Sequence, residues 1–594
     1  MATLTSDAYV LDSDSRVWKR RDANPEFGYS DGTAVEKYMA EVLRNASDLA
    51  TDSLELRRAI RDWPTLVHLD AGRANLLRPL EKHLKGSVLE IGAGCGAITR
   101  YLGECGASVV SLEGSSRRAA IAASRCRDLP NVQVYCDNVA NLQTDTRFDV
   151  VALIGVLEYS RVFIDGADPV RKMLSYCAEF LQPDGLLIVA IENQLGLKYF
   201  AGAFEDHTAR AFHGIMDLYT SNSPVTFGRR ELTRRLRESG FANCKFLYPL
   251  PDYKLPELIL HEEAFAEESL DFFGLLQAAS ARNQARDYDR LFAEATAWPV
   301  LVRNGLAQDF ANSFLVVAGK SELPGFDPAD LVHFYASKRQ RSFNKATHIR
   351  SEQSGLIARR QKLHEGEGGA EGKYRQVLVD EPLIAGELYV NELVRIINRP
   401  GWTTETLAVW AKPWLDFLAA KAVTDGEPDT SENADPRELW LPGNYLDCAP
   451  FNVIKTPDNE LRTFDLEFVT DEPVEFSCVA FRGLYHSLAR QTSVASSKSS
   501  RRILSLIAEI MELAGWPLTR RQIDNAAARE AEFLTTVGGL AVRPGSITRA
   551  KVSMRPESHT RRGLIGRLAS RGKGVLRRLR YGRFWDSLAK LAGR

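Results

Sequence analysis

Residues 88–96 read VLEIGAGCG, an apolar run that ends in glycine at every second position: Gly92, Gly94 and Gly96. Glycine adopts backbone conformations with positive φ at no steric cost and leaves room for a ligand beside the main chain. A strand that ends in a tight glycine turn and leads into a helix is a frequent ligand-binding element of α/β sheets. The stretch therefore predicts a strand, a turn and a helix with a ligand site at the turn.

Further β-rich runs follow this stretch, and helical segments separate most of them. Strands that alternate with helices are typical of the α/β class with a doubly wound parallel sheet. Upstream, residues 29–80 carry apolar residues at three- and four-residue spacing, which predicts helices. The β-rich runs are SVVSLEG (108–114), VQVYCDN (132–138), FDVVALIGV (148–156) and GLLIVAIEN (185–193).

Length and composition limit the class of protein. A chain of 594 residues is too long for one hydrophobic core, and its net charge of −1 indicates no particular partner. The eight cysteines are scattered without a CxxC pair, so reduced thiols are expected rather than metal clusters or disulfides. With no secretory signal at the amino terminus and no apolar run of membrane-spanning length, we expect a cytoplasmic protein.

A linker signal and changes in composition along the chain predict four segments. The sequence PGFDP (324–328) is typical of a linker, and the strands after it predict a smaller α+β domain. The expected segments are a polar, loosely ordered amino terminus (1–28), an α/β domain (29–322), a second domain (329–535) and a basic tail (545–594).

Polar residues at the ends of three strands complete the first candidate site. Glu113 ends the second strand, where a carboxylate can accept hydrogen bonds from both ribose hydroxyls of a nucleoside. Asp137 and Asn138 follow the third strand, in position to read an adenine edge, and Ile154 ends the fourth. NAD-dependent enzymes use similar glycine spacing, and a plain α/β turn without a ligand is the simplest alternative.

The form E-x-G-x-G-x-G, which begins at Glu90, resembles class I S-adenosylmethionine-dependent methyltransferases. The turn and strand LQPDGLLIVAIEN (181–193) are similar to those of the same family, and YSDG (29–32), ENQLGLKYFAG (192–202) and YPLPDYKLP (248–256) resemble methyltransferases of bacterial surface-polysaccharide loci. The resemblance implies that S-adenosylmethionine is the cofactor. Its binding residues would be Glu90, Gly92, Gly94, Gly96, Glu113, Asp137, Asn138 and Ile154.

The acceptor decides which further residues matter. A sugar hydroxyl would need a general base, for which His207 is the candidate, although His207 could equally be structural. An ionised acceptor such as a phosphate would need no base, and Lys198, Lys254 or Arg229 could hold it. The resemblance adds further substrate-binding residues: Glu192, Asn193 and Glu205.

A second motif lies in NYLDCAPFNVIKTPDNELRTFDLEF (444–468). Its D-x-x-x-x-N spacing and the later D-L-E resemble protein kinases and, more closely, aminoglycoside phosphotransferases. The resemblance implies that Asp447 orients or deprotonates an acceptor while Asn452 and Asp465 hold Mg²⁺ for ATP. The hairpin upstream lacks glycines, and Arg359 or Arg360, with Lys345 as a second candidate, would replace the ATP-binding lysine. An inactive relative of kinases is the alternative.

The tail mixes cations with apolar and aromatic residues from Arg561 to Arg594. Such a segment can lie on an anionic membrane or bind a partner enzyme such as a glycosyltransferase. No nucleic-acid-binding module accompanies it, so nucleic acid is not an expected partner.

The order of the segments resembles the bifunctional kinase–methyltransferases that terminate bacterial O-antigen chains. That resemblance implies a glycan or glycolipid acceptor at the inner membrane, which one domain phosphorylates and the other methylates on the phosphate. Two alternatives stay open. One is a methyltransferase that acts on a sugar hydroxyl, with an inactive kinase-like binding module. The other is a membrane-docked scaffold for glycan assembly.

Overall fold

The computed structural model describes residues 4, 8–21, 29–281, 290–323, 325–364, 368–424, 427–428, 439–491 and 494–554. Within these ranges, no helix is long and apolar enough to cross a lipid bilayer. Of the predicted basic tail (545–594), residues 555–594 lie outside the described residues.

The first part of the chain is an α/β unit. Its strands are β1 (Tyr9–Asp12), β2 (Val17–Arg20), β3 (Ser87–Ile91), β4 (Ser108–Glu113), β5 (Val132–Cys136), β6 (Phe148–Ile154), β7 (Leu181–Glu192), β8 (Asn243–Leu250), β9 (Leu258–His261) and β10 (Ser313–Gly319). Its helices are α1 (Thr33–Asn45), α2 (Leu54–Arg58), α3 (Trp63–Leu69), α4 (Ala97–Glu104), α5 (Ser116–Arg125), α6 (Ser160–Phe163), α7 (Pro169–Phe180), α8 (Leu197–Phe200), α9 (Arg229–Glu238), α10 (Phe272–Ala281), α11 (Glu294–Arg303) and α12 (Ala307–Phe310).

The centre of the sheet is parallel, in the order β5-β4-β3-β6-β7, and β10, β8 and β9 follow it as antiparallel strands. The side chains of β3 are buried on both faces from Val88 onward, as expected for a parallel strand that helices cover on both sides. The predicted α/β fold with a parallel sheet is therefore confirmed. The strand order places the carboxyl ends of β3, β4 and β6 next to one another.

A hairpin at the amino terminus extends the sheet. Strand β2 pairs in parallel with β5, where Val17 lies opposite Val134, and Trp18 stacks on Tyr135 at 5.9 Å between ring centroids. The prediction that residues 1–28 are loosely ordered is therefore wrong for residues 9–20. The hairpin satisfies backbone groups along the edge of β5 that would otherwise lack a neighbouring strand.

The second part of the chain contributes four strands, its first three and its sixth, to the same sheet. Its strands are β11 (Asp330–Ala336), β12 (Lys345–Glu352), β13 (Gly355–Lys362), β14 (Ala370–Glu371), β15 (Tyr374–Gln376), β16 (Glu381–Pro382), β17 (Glu387–Leu388), β18 (Val423–Thr424), β19 (Glu427–Pro428), β20 (Trp440–Leu441), β21 (Val453–Lys455), β22 (Leu461–Thr463), β23 (Phe468–Val469) and β24 (Val474–Glu475). Its helices are α13 (Val390–Ile397), α14 (Thr404–Ala419), α15 (Phe476–Ala489), α16 (Ile503–Leu513), α17 (Arg520–Gly538) and α18 (Pro544–Thr548).

Strand β11 pairs with β9, so one sheet of 14 strands crosses the predicted boundary between residues 322 and 329. Val332 lies opposite Leu260, and both side chains are buried. The two predicted segments are therefore joined by backbone hydrogen bonds between strands as well as by the chain that links them. A separate hydrophobic core packs among α14, α15, α16 and α17, around Trp414 and Phe481. The second part thus has an α+β architecture, and its resemblance to kinases stays a prediction.

Candidate functional site

The carboxyl edge of the parallel strands opens onto a cavity of about 770 Å³, within the range of small-molecule sites. The turn after β3 has positive φ at Gly92 (89°) and Gly94 (57°), and both residues line this cavity. Gly96 was predicted to contact the cofactor, but it packs on helix α5 instead. A β-carbon at Gly96 would lie 2.8 Å from the main chain of Ala122, so glycine is needed there for helix packing.

Glu113 lies at the cavity wall with its carboxylate buried. One carboxylate oxygen accepts the main-chain N–H of Gly94 at 2.8 Å and the other accepts that of Ser115 at 2.9 Å. Burial raises the pKa of Glu113 above its usual range. The side chain is thus fixed between two main-chain donors, in the position predicted for a ribose ligand.

Glu90 also lines the cavity and is only 2% exposed. Its Oε2 accepts hydrogen bonds from the hydroxyl groups of Thr99 and Ser111, which link the turn to α4 and β4. Burial raises the pKa of Glu90 to about 7. One oxygen of this carboxylate therefore has a structural role.

Asp137, Asn138 and Ile154 line the same cavity, as predicted. Asp137 accepts the Tyr9 hydroxyl at 2.7 Å, so the amino-terminal hairpin holds it. The Asn138 side chain accepts the N–H of Ala140 and donates to the main-chain oxygen of Phe163. Both polar side chains have partners in the fold, and their contact with an adenine edge stays a prediction.

The other end of the cavity carries a network of lysines and carboxylates. Lys198 Nζ lies 2.8 Å from Asp206, and Lys254 Nζ donates to Glu192 and, at 3.2 Å, to Asp206. Glu205 accepts the main-chain N–H groups of its own loop. The structure thus brings Lys198, Lys254, Glu192 and Glu205 together as predicted. It also shows that both lysines are already neutralised.

His207 does not fit the predicted role of general base. Its Nε2 lies 3.4 Å from the Glu192 carboxylate, and its Nδ1 is 3.1 Å from the Tyr159 hydroxyl. Burial alone would lower the pKa of His207, but the neighbouring Glu192 raises it to about 9. With nothing bound, His207 is therefore an imidazolium at neutral pH and has no free position to accept a proton.

Two other predicted substrate residues lie elsewhere. The Asn193 side chain donates to the main-chain oxygens of Asp309 and Ala311 and does not line the cavity. Its neighbour Glu192 does, because successive residues at a strand end point to opposite sides. Arg229 pairs with Asp309 at 2.8 Å, also away from the cavity. Both were wrong as ligand contacts.

Several cavity residues were missed by the sequence reasoning. Asp206 joins the two lysines, and Glu158, buried just after β6, has its pKa raised to about 8 by burial. Tyr159 and Tyr29 meet edge to face at the same end, with ring centroids 5.2 Å apart. Glu158 and Tyr159 lie in GVLEYS (155–160), Tyr29 in YSDG (29–32) and Asp206 in EDH (205–207). One sequence gives no signal that distinguishes them from neighbouring polar positions.

Residues 89–187 match the family model described as "Methyltransferase domain". They form a methyltransferase domain. A demethylmenaquinone methyltransferase of Tropheryma whipplei (strain Twist) is 30% identical over 102 residues, which is 17% of this chain and 40% of that protein. The chain therefore spans less than half the length of this curated relative.

Two solved structures were also found to be similar. One is phosphoethanolamine N-methyltransferase 2 of Haemonchus contortus with phosphomonomethylethanolamine and S-adenosylhomocysteine, at 14% identity, 42% of this chain, 52% of that chain and a TM-score of 0.27. The other is a possible histamine N-methyltransferase of Thermotoga maritima, at 19% identity, 43% of this chain, 92% of that chain and a TM-score of 0.25.

A second cavity, of about 640 Å³, lies between the first and second parts of the chain. Asp447, Asn452 and Asp465 all line it, as predicted. The Asn452 amide donates to the main-chain oxygens of Asp447 at 2.9 Å and Asp465 at 3.4 Å, which fixes the loop. Burial raises the pKa of Asp447 to about 6, and Arg482 donates to its carboxylate at 3.1 Å.

The carboxylate of Asp465 is fully engaged in this state. Lys345 Nζ contacts both of its oxygens, at 2.7 and 2.9 Å, and Arg360 Nε lies 2.7 Å away. A Mg²⁺ ion would have to displace these cations to reach the carboxylate. The present arrangement therefore does not fit a metal ligand at Asp465.

Arg359 was predicted to contact ATP, and this prediction is wrong. Its side chain is 46% exposed and pairs with Glu352 and Asp380 outside the cavity. The next residue, Arg360, points into the cavity, because adjacent side chains of a strand face opposite sides. Lys345, the second candidate, lies there as well.

Proposed function

We propose that the protein transfers a methyl group from S-adenosylmethionine to a hydroxyl group of a bacterial surface glycan. The methyltransferase domain and the buried carboxylate of Glu113 beside the glycine turn support the cofactor. The neutralised lysines of the acceptor end support a hydroxyl rather than a phosphate acceptor. The resemblance of several segments to methyltransferases of polysaccharide loci supports the glycan.

The observation that carries the choice of acceptor is the pairing of Lys198 and Lys254 with carboxylates. A bound phosphate needs cationic donors that are free to face it. Among the described residues of this end, each lysine and His207 contacts a carboxylate. Carboxylates accept hydrogen bonds from sugar hydroxyls, so the end fits a neutral polyhydroxylated acceptor better than an anionic one.

S-Adenosylmethionine supplies an electrophilic methyl group. In the reaction the C–S bond breaks as the new C–O bond forms, S-adenosylhomocysteine leaves, and the hydroxyl proton is released to water. The residues of the chain position the reactants for this in-line displacement. Glu113 and the glycine turn would hold the cofactor at one end of the cavity. At the other end Glu192, whose pKa Lys254 and His207 hold well below its usual range despite burial, stays ionised and can accept the hydroxyl hydrogen bond.

The test uses methyl-labelled S-adenosylmethionine and two matched acceptors, an oligosaccharide and the same oligosaccharide phosphorylated at its terminal sugar. The proposal expects label in the unphosphorylated oligosaccharide. Label in the phosphorylated acceptor alone would contradict it. Glu113→Gln serves as the variant that loses the reaction through loss of the cofactor.

Phosphoryl transfer in the second cavity is a second candidate function. One observation favours it, namely that Asp447, Asn452 and Asp465 line one cavity. ATP and Mg²⁺ would be its cofactors, yet Asp465 is paired with Lys345 and Arg360, which a Mg²⁺ ion would have to displace from that carboxylate. A titration of ATP with Mg²⁺ tests it. ATP binding that Asp465→Asn abolishes would support phosphoryl transfer. No ATP binding to the unaltered chain would contradict it.

The basic segment from Arg561 to Arg594 is proposed to hold the protein at the inner membrane or on a glycosyltransferase. This proposal rests on composition, since the segment lies outside the described residues. Removal of residues 555–594 is expected to abolish binding to anionic vesicles. Methyl transfer to a soluble acceptor is expected to continue unchanged.

A further inference from the structure

We propose that Glu158, Glu192 and His207 form a binding site for one divalent metal cation at the acceptor end of the methyltransferase cavity. The site is assigned from the geometry of these three side chains. Its catalytic meaning, but not its existence, rests on the proposed transfer to a hydroxyl.

The three side chains converge from separate elements of the fold. Glu158 follows β6, Glu192 ends β7, and His207 lies in the loop after α8. One ligand atom from each lies within 4.8 Å of the other two. A cation with metal–ligand bonds of about 2.1 Å holds its ligand atoms roughly 3 to 4 Å apart, so a small inward movement of the side chains completes the site.

One of the converging carboxylate oxygens lacks a partner, and the other two atoms have only each other. Glu158 Oε2 is buried and has no hydrogen bond to the described residues. Glu192 Oε2 and His207 Nε2 are also buried and lie 3.4 Å apart as an ion pair. Glu158 and Glu192 are 1% and 0% exposed, and the His207 side chain is 6% exposed. Buried polar atoms without partners are rare in folded proteins, and an unpartnered carboxylate oxygen of Glu158 beside this pair is consistent with a missing ligand.

The remaining atoms of the same groups are held from behind. Lys254 donates to Glu192 Oε1, and the Tyr159 hydroxyl lies 3.1 Å from His207 Nδ1. The main-chain N–H of His207 donates to Glu205, which fixes the loop. Metal ligands are commonly oriented by such outer contacts. Here Oε2 of Glu192 and Nε2 of His207, which lie 3.4 Å apart, are the atoms that these outer contacts do not use.

Two carboxylates and one imidazole suit a divalent first-row transition-metal cation such as Mn²⁺. The same ligands also accept Mg²⁺ or Zn²⁺ and do not select strongly among these ions. Three protein ligands leave coordination positions that face the cavity, where an acceptor hydroxyl could bind. A hydroxyl bound to a cation loses its proton more readily, which compensates for the absence of a free general base.

The test is a titration of the full chain with Mn²⁺, followed by calorimetry and by electron paramagnetic resonance. We expect one bound ion per chain, with nitrogen hyperfine coupling from the imidazole. Glu158→Gln and His207→Gln are each expected to weaken binding at least tenfold, and His207→Gln to remove the nitrogen coupling. S-Adenosylmethionine affinity is expected to change by less than about twofold in both variants.

Asp252→Asn is the matched control. Asp252 lines the same cavity but lies outside the three-residue cluster, and asparagine retains the acceptor for the N–H of Lys254. It is expected to bind Mn²⁺ like the unaltered chain. If Glu158→Gln loses cofactor binding as well, Glu158→Asp is measured instead, because aspartate keeps a carboxylate. Mn²⁺ binding by Glu158→Asp would support the site.

The proposal is overturned if the unaltered chain binds none of Mn²⁺, Mg²⁺ and Zn²⁺, or if Mn²⁺ binds without nitrogen coupling and the two glutamine variants bind it equally well. Failure of the proposed function gives a different result. In that case Mn²⁺ and S-adenosylmethionine bind as expected, while no hydroxyl acceptor is methylated.

Discussion

The Lys198 ammonium lies 2.8 Å from the Asp206 carboxylate inside the methyltransferase cavity, and Lys254 contacts the same carboxylate at 3.2 Å. One aspartate therefore holds both lysines that could otherwise bind an anion. This relationship separates a hydroxyl acceptor from a phosphate acceptor, because the two require opposite states of the lysines.

Asp206→Asn is expected to create affinity for anions in this cavity. Removal of the carboxylate charge leaves Lys198 without its nearest partner, and a hydrogen bond to a charged group is worth about 1.5–3 kcal/mol. Inorganic phosphate should bind roughly tenfold more tightly, as measured by calorimetry. Asp309→Asn, which frees Arg229 away from the cavity, is the control and should bind phosphate like the unaltered chain. Equal phosphate affinity in Asp206→Asn and the unaltered chain would contradict the role given to Asp206.

Glu113→Gln is expected to weaken the binding of S-adenosylmethionine. The amide keeps the size of the side chain but loses the charge and one acceptor oxygen, at a cost of about 1–3 kcal/mol, or roughly fivefold to 150-fold in affinity. Calorimetric titration of the cofactor measures the change. Glu104→Gln, at the far end of α4, should leave the affinity unaltered. The site assignment would fail if both variants bound the cofactor equally well.

Tyr9→Phe tests whether the amino-terminal hairpin supports the cavity. The substitution removes the hydroxyl that donates to Asp137 at 2.7 Å and leaves the ring in place. We expect the free energy of unfolding to fall by about 1 kcal/mol in urea denaturation. Cofactor affinity should fall with it, because Asp137 lines the cavity. An unchanged unfolding curve would mean that the hairpin contributes nothing through this bond.

The buried Glu90 predicts a pH dependence of stability. Its pKa is raised from 4.5 to about 7 by burial, so the folded state holds a proton that the unfolded state has released between these values. Stability from this group is complete below pH 4.5 and is lost as the pH rises through 7. Glu90→Gln, whose oxygen can still accept from Thr99 and Ser111, should gain stability relative to the unaltered chain from pH 4.5 to 8, by up to about 3 kcal/mol. Denaturation at the two pH values measures this, and parallel changes in both proteins would contradict it.

The sequence predicted the parts of the structure that local pattern determines. The glycine turn after β3 and the run of parallel strands follow from apolar runs, glycines and turn residues of neighbouring positions. Glu113, at a strand end, was also found, because a parallel sheet brings the carboxyl ends of its strands together. Glu192 was named only because the resemblance to methyltransferases implied it.

Features that depend on distant partners were not predicted. The hairpin of residues 9–20 is ordered by β5, more than a hundred residues away, and YVLD and VWKR alone are too short to indicate this. The pairing of β11 with β9 follows a segment, PGFDP, that looks like a linker. The choice between Arg359 and Arg360 depends on which face of β13 meets the cavity, which the sequence pattern left open.

The proposed hydroxyl acceptor is tested most directly by methyl transfer in the absence of ATP. The unaltered chain and Asp447→Asn are each given methyl-labelled S-adenosylmethionine and an unphosphorylated surface oligosaccharide, and incorporated label is counted. We expect both proteins to methylate the oligosaccharide at equal rates, since Asp447 lies in the other cavity. A parallel reaction contains ATP and Mg²⁺. Transfer that occurs only in this reaction, and that disappears in Asp447→Asn, would show that a phosphate is the methyl acceptor and would contradict this account.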